Sequence, residues 1–263
     1  MTESRGPGLD RLPRRDRLAI LIALAGVTLL AWATLLEMSL DMAAPNAAVP
    51  MEWITMKSWT ATDFVFMFLM WVIMMVGMMV PTAAPMTLVY AAVARKAAKQ
   101  GAVLAPAGAF VGGYVLLWCV FSLVATAVQW GLDRAALLSP GMVATSPALG
   151  GGLLIAAGLY QFTPLKASCL QHCRAPARFF AQHWRPGFWG ALRMGAVHGA
   201  FCLGCCWVLM GLLFFGGVMN LLWIAGIAVF VLVEKLLPFG AAGGRAAGIA
   251  LMACGLVVLF RWS

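Results

Sequence analysis

The chain has 263 residues, of which 63% are hydrophobic and only 10% charged. Soluble domains run near 45–50% and about 25%, so a water-soluble globule of this kind would leave apolar surface that nothing covers, and the same composition excludes disorder over most of the length. The formal net charge of +9 invites a nucleic-acid reading, which the placement of the basic residues decides below, and the seven cysteines sit in too little soluble loop for a secreted disulfide framework.

A helix needs about 20 mainly apolar residues to cross the hydrocarbon core. Taken along the chain, seven stretches qualify: Leu18–Leu36, Phe64–Val80, Val103–Val128, Ala148–Phe162, Met194–Phe215, Leu221–Leu237 and Ala246–Phe260. The expected fold is therefore all-α, a polytopic transmembrane helix bundle of about seven spans. Residues 1–17 read as a basic tail and 18–263 as a single transmembrane domain. The first stretch follows a basic start and carries Ala31-Trp32-Ala33, so a cleaved signal sequence is the alternative, which would leave six spans. Its apolar run exceeds the usual h-region of about 7–15 residues, which favours a retained anchor.

Lys and Arg fix the expected orientation. Arg5, Arg11, Arg14, Arg15 and Arg17 lie in the tail; Arg95, Lys96 and Lys99 follow the second span. Lys166, Arg174, Arg178, Arg185 and Arg193 follow the fourth, and Lys235 and Arg245 the sixth. That places 15 of 18 basic residues on one side, against Lys57, Arg134 and Arg261 opposite, where the first loop carries Glu37, Asp41, Glu52 and Asp63. The N-terminus is thus expected in the cytoplasm of a bacterium, with the protein in its inner membrane. A nucleic-acid footprint would gather on one folded face instead of following the topology, so no nucleic acid is expected and the bilayer is the first partner.

The second span carries six methionines between Met67 and Met79. At about 100° per residue, Met67, Met74 and Met78 share a narrow stripe, with Met70, Met75 and Met79 beside it. Methionine fills irregular gaps, so such a stripe is ordinarily core. Thioethers also suit a soft ion such as Cu(I), and Met74, Met75, Met78 and Met79 lie toward the cytoplasmic end.

After the fourth span comes Cys169-Leu170-Gln171-His172-Cys173. If helical, the two thiols fall one turn apart on one face, a spacing for a metal pair or a redox pair, the alternative being two plain reduced thiols. The fifth span opens with His198, Cys202, Cys205 and Cys206. On a helix these four share an arc of about 100°. Three thiols and an imidazole on one membrane-helix face are poorly explained as packing, although a buried cysteine can be an inert small hydrophobe. His198 and Cys206 are about 12 Å apart along the axis, so one ion needs ligands from other helices. Glu234-Lys235 ends the sixth span before Pro238, and reads equally as an intramembrane functional pair or as a span terminator. Asn220 reads as a turn residue.

Three segments together resemble a family of predicted metal-binding integral membrane proteins named for a copper-supply protein associated with a tyrosinase. The likeness rests on Met70-Trp71, Met74-Met75, Met78-Met79 and Pro81; on Tyr160-Gln161, Leu165-Lys166, Cys169 and Cys173-Arg174; and on His198-Gly199, Cys202 and Cys205-Cys206-Trp207. It continues from Met210 through Gly217-Val218-Met219-Asn220 and Trp223 to Glu234-Lys235. The resemblance implies metal binding and a link to copper supply. The resulting expectation is a Cu(I) carrier or chaperone for cuproenzyme maturation, with Cys169, His172, Cys173, His198, Cys202, Cys205, Cys206, Met74, Met75, Met78 and Met79 as metal ligands. A cuproenzyme or a metallochaperone is the expected protein partner, and zinc is the other metal this donor set admits. A membrane thiol-disulfide oxidoreductase and a scaffold for a larger membrane complex are the alternatives. No catalytic group is assigned.

Overall fold

The computed structural model describes residues 12–43, 59–139, 142–237 and 240–261. Arg5, Arg11, Glu52, Lys57 and Pro238 lie outside the described residues. The chain forms α1 (Arg14–Ala43), α2 (Ala61–Ala98), α3 (Ala107–Arg134), α4 (Pro147–Tyr160), α5 (Pro164–Arg174), α6 (Pro176–His183), α7 (Gly187–Gly211), α8 (Leu213–Gly216), α9 (Leu221–Leu236) and α10 (Gly240–Arg261). Among the described residues, five helices are long and apolar enough to cross a membrane, or six if α4 and α5 make one broken span. The sixth apolar stretch forms α9, whose 16 residues fall short of that length. Outward faces are apolar too, with Leu30 at 70% and Leu222 at 87% exposure, as lipid-facing surfaces require.

The second span does not stop at Val80. α2 opens on a capping box, in which the Thr60 hydroxyl accepts from the Asp63 N–H and Asp63 accepts from the Thr60 N–H, and it then runs through Pro81 and Pro85 to Ala98. A proline inside a helix removes the hydrogen bond to the carbonyl four residues back. Pro81 frees the carbonyl of Gly77, and the Trp32 indole N–H of α1 donates to it at 3.2 Å. A neighbouring helix thus satisfies the freed group, which is how a membrane helix tolerates proline.

α4 ends at Tyr160, and the chain turns by 63° into α5. Thr163 caps α5 by accepting from the Lys166 N–H at 3.3 Å, and Pro164 occupies the first helical turn, where its missing N–H costs nothing. The break directs α5 across the bundle onto α7. Irregular backbone at membrane depth is tolerated only when it is buried in protein or lines a cavity.

Glycines let the other helices close in. A Cβ on Gly195 of α7 would land on the Phe110 carbonyl of α3, and one on Gly113 of α3 on the Leu192 carbonyl of α7. Gly158 and Gly248 face each other likewise between α4 and α10, at 2.7 and 3.0 Å from the opposite carbonyl oxygens. Small residues at such crossings are the usual device of membrane helix packing.

Candidate metal centre

α7 begins at Gly187, seven residues before the expected start of the fifth span, because the interfacial stretch Gly187–Arg193 continues the helix. His198 therefore lies about three turns inside α7, not one. His198, Cys202, Cys205 and Cys206 all point inward and are buried.

Cys202 is held from two sides. Lys235 of α9 sends its ammonium to the sulfur at 2.8 Å, and the Tyr114 hydroxyl of α3 is 2.9 Å away. Lys235 also reaches Thr82 of α2 at 3.4 Å, and Tyr114 donates to the Met79 carbonyl at 3.0 Å. Three helices thus meet at one sulfur, and α2 holds the two groups that reach it. Lys235 is 7% exposed and has no carboxylate partner among the described residues. A buried cation without a counter-charge is costly, and Cys202 is the nearest group able to carry one.

Cys205 and Cys206 both donate their S–H to the Cys202 carbonyl, each at 3.0 Å. Cys173 of α5 packs against the cluster that holds Cys205, with the two thiols as neighbours. Cys169, one turn earlier, rests its sulfur on Gly204, where a Cβ would come within 2.7 Å of it. The α5 segment is therefore helical, and both of its thiols meet the α7 face. Tyr160, at the end of α4, donates to the Gly204 carbonyl and fixes the broken helix there.

Adjacent charges hold α5 in place. Lys166 of α5 pairs with Glu234 of α9 at 2.7 Å, with side chains 4% and 2% exposed. Removing one partner of a buried pair strands the other, at about 3–5 kcal/mol. Glu234 and Lys235 point to different partners, one gripping α5 and the other α7. The second Glu234 oxygen and both polar atoms of Gln161 are buried without a hydrogen-bond partner among the described residues, beside Gly244; ordered water commonly occupies such places.

Met70, Met74, Met75, Met78, Met79 and Met210 are buried in the same contiguous cluster as Cys202, Cys205 and Cys206, with Cys169 and Cys173 packed against it. His198 lies beside this cluster, stacked between Phe110 and Tyr114 with ring centroids at 6.0 and 5.5 Å. Its Nδ1 is buried without a hydrogen-bond partner among the described residues. His172 is not drawn in: its ring stacks on Phe201 at 4.2 Å and lines an open cavity with Arg174 and Arg178. Cys119 and Cys254 stand apart from the cluster, and His183 stacks on Phe179. Among the described residues, no three His, Cys, Asp or Glu side chains stand together as a ready metal cage. The arrangement offers instead paired thiols bordered by thioethers, a donor set for a soft ion of low coordination number.

The sequence alone gives Tyr114 and Thr82 no role, and Lys166 only a place among the basic residues and in the family likeness. One signal was available: the chain has only three tyrosines, and a tyrosine inside an apolar span must find a partner for its hydroxyl. Asn220 caps α9, its side chain accepting from the Trp223 N–H at 3.2 Å.

A family model described as PpoB2, copper chaperone, matches residues 68–258 of the chain. No curated protein and no solved structure matches it.

Proposed function

The chain belongs to the PpoB2 copper chaperone family, and from that membership we propose that it is an integral membrane carrier of Cu(I) for the maturation of a cuproenzyme. In this reading it sits in a bacterial inner membrane with its N-terminus in the cytoplasm, residues 1–17 as a basic tail and 18–263 as one transmembrane domain. The observation that carries the reading is the meeting of the α5 and α7 thiols inside a methionine-lined core: Cys173 on Cys205, Cys169 on Gly204, and Cys202 beside Lys235.

Thiolate and thioether sulfur select Cu(I) over hard ions. Cys173, Cys205, Cys202 and Cys206 supply the thiols, with Cys169 at their edge, and Met74, Met75, Met78 and Met79 the thioethers. His198 supplies an imidazole whose Nδ1 is uncommitted. His172, half-buried at the open cavity, is the ligand a cytoplasmic metallochaperone would reach first. Lys235 offsets the negative charge that two thiolates leave around a monovalent ion, which favours Cu(I) over zinc in a two-thiolate site.

The test is copper content. The full chain, purified in detergent under reducing and anaerobic conditions, should bind Cu(I). The C205S/C206S variant nearly preserves side-chain volume and removes two soft ligands, so copper stoichiometry should fall while monodispersity persists. Unchanged stoichiometry would reduce this face to packing. The Cys173–Cys205 contact equally suits a redox pair; a wild-type protein that binds no copper and cycles a Cys173–Cys205 disulfide would establish the oxidoreductase reading instead.

A further inference from the structure

At the far end of the bundle, Gln129 of α3 is 2% exposed, and all its polar atoms point inward. Its carbonyl accepts from the Trp71 indole N–H at 2.6 Å. Among the described residues its amide nitrogen donates to sulfur alone: Met142 at 3.2 Å and Met67 at 3.8 Å. A thioether is a weak acceptor, so a buried amide served by two of them is poorly satisfied as packing alone. It does gather two thioethers from distant parts of the chain onto one point.

The second of these is delivered at a cost. Met142 has φ +57°, a region a bulky side chain enters only when its surroundings impose it, and such strain concentrates at functional sites. The imposing contacts are visible. The Met142 N–H donates to the Ser139 carbonyl at 2.8 Å, the Ser139 N–H to the Val143 carbonyl at 2.9 Å, and the Ala144 N–H to the Phe214 carbonyl at 2.8 Å. The loop is thereby tied over the bundle end with Met142 turned in. Met67 and Met142 are both only half-buried, unlike the enclosed methionines between Met70 and Met79. Asp133, one turn beyond Gln129, brings a carboxylate to the same end, bonded to the Trp59 indole at 2.8 Å.

Met67 lies about 16.5 Å along α2 from Met78, and Met70 and Met74 divide that distance into steps of about 4.5–6 Å. We propose that Met67 and Met142, gathered on the Gln129 amide, form a second soft-ion site for Cu(I) at the end of the bundle away from the thiols, with the α2 methionines linking the two. This rests on the reading that the core carries Cu(I). Neutral thioethers hold Cu(I) more weakly than thiolates, so the pair suits release, in contrast with capture at the cysteines.

Cu(I) is titrated anaerobically into the detergent-purified full chain against a chelator, for wild type, M67L/M142L and C205S/C206S. Wild type should show two classes of bound copper. M67L/M142L should lose the weaker class, about one equivalent, and keep the tighter class within about twofold, since Leu preserves volume and lacks the sulfur lone pairs. C205S/C206S should keep the weaker class, with sulfur neighbours at the copper X-ray edge. Should the double Met variant lose monodispersity, M142L alone, a change in a half-buried loop side chain, carries the same test. Two retained classes in the Met variant, or one class in wild type, would overturn the distal site and leave the thiol reading standing. Wild-type protein that binds no Cu(I) would instead remove the reading beneath it.

Discussion

At the scale of single residues, the most informative group is Lys235, because its sequence neighbours give no sign of its partner. It lies between Cys202 and Thr82 in an apolar core, and in the proposed site it places a positive charge beside a sulfur that would be negative as a thiolate ligand. Residues that hydrogen-bond a ligand without touching the ion commonly tune metal affinity by about 10–100-fold. K235M keeps the length and apolar bulk of the side chain and deletes the charge. Replacing a buried ion by a packed apolar group is often neutral for stability. We therefore expect Cu(I) affinity to fall by about 10–100-fold in K235M with the melting temperature nearly unchanged, read by chelator competition and a melting curve. Equal affinity would reduce Lys235 to a structural strut. Gln129 makes the same general point: a lone amide in an apolar span is visible in the sequence, but the sulfurs that face it are not.

At the scale of helices, the site depends on how closely α3 and α7 approach. Tyr114 can reach Cys202 only because Gly113 and Gly195 let the two backbones touch. In G195A the added methyl group meets the Phe110 carbonyl, which is backbone and cannot swing away. Overpacking of this kind costs about 1–3 kcal/mol, so G195A should melt lower and bind copper less tightly. Gly112, on the same α3, has open space where its Cβ would be. Alanine is the better helix former by roughly 0.5–1 kcal/mol, so G112A should melt at the same temperature or higher. Equal losses in both variants would mean that the close approach has no role. Element ends behaved less predictably than element faces. The expected second span ends at Val80, yet Trp32 satisfies the carbonyl that Pro81 frees and α2 continues. The break at Thr163–Pro164 instead turned a connection into α5, which carries two of the candidate ligands inward.

At the scale of the whole molecule, the order of the helices distributes soft donors along one axis, with thiols where α5, α7 and α9 meet and paired thioethers where Met67 of α2 and Met142 meet Gln129 of α3. The 15-to-3 split of basic residues sets the expected direction of that axis across the bilayer. A reporter fused after Arg178 should report the cytoplasm, and one fused after Lys57 the periplasm. The reverse result at both sites would keep the two clusters and exchange their sides, so that the thiols would face the periplasm.

The amino-acid sequence by itself determined the solvent, the helical class, most of the apolar segments and the family likeness. It also determined that His198, Cys202, Cys205 and Cys206 share a face. Each of these follows from composition or from the helical period, which are local properties. Tertiary structure alone decided that Cys173 meets Cys205, that Lys235 reaches Cys202 while Glu234 turns to Lys166, that His172 stays outside the cluster, and that Met142 joins Met67 on Gln129. Those pairings join residues far apart in the chain, and they are set by where glycine-lined helices touch and how a broken helix folds back. Helical periodicity orients a side chain around its own axis; only the packing of the helices selects what stands opposite.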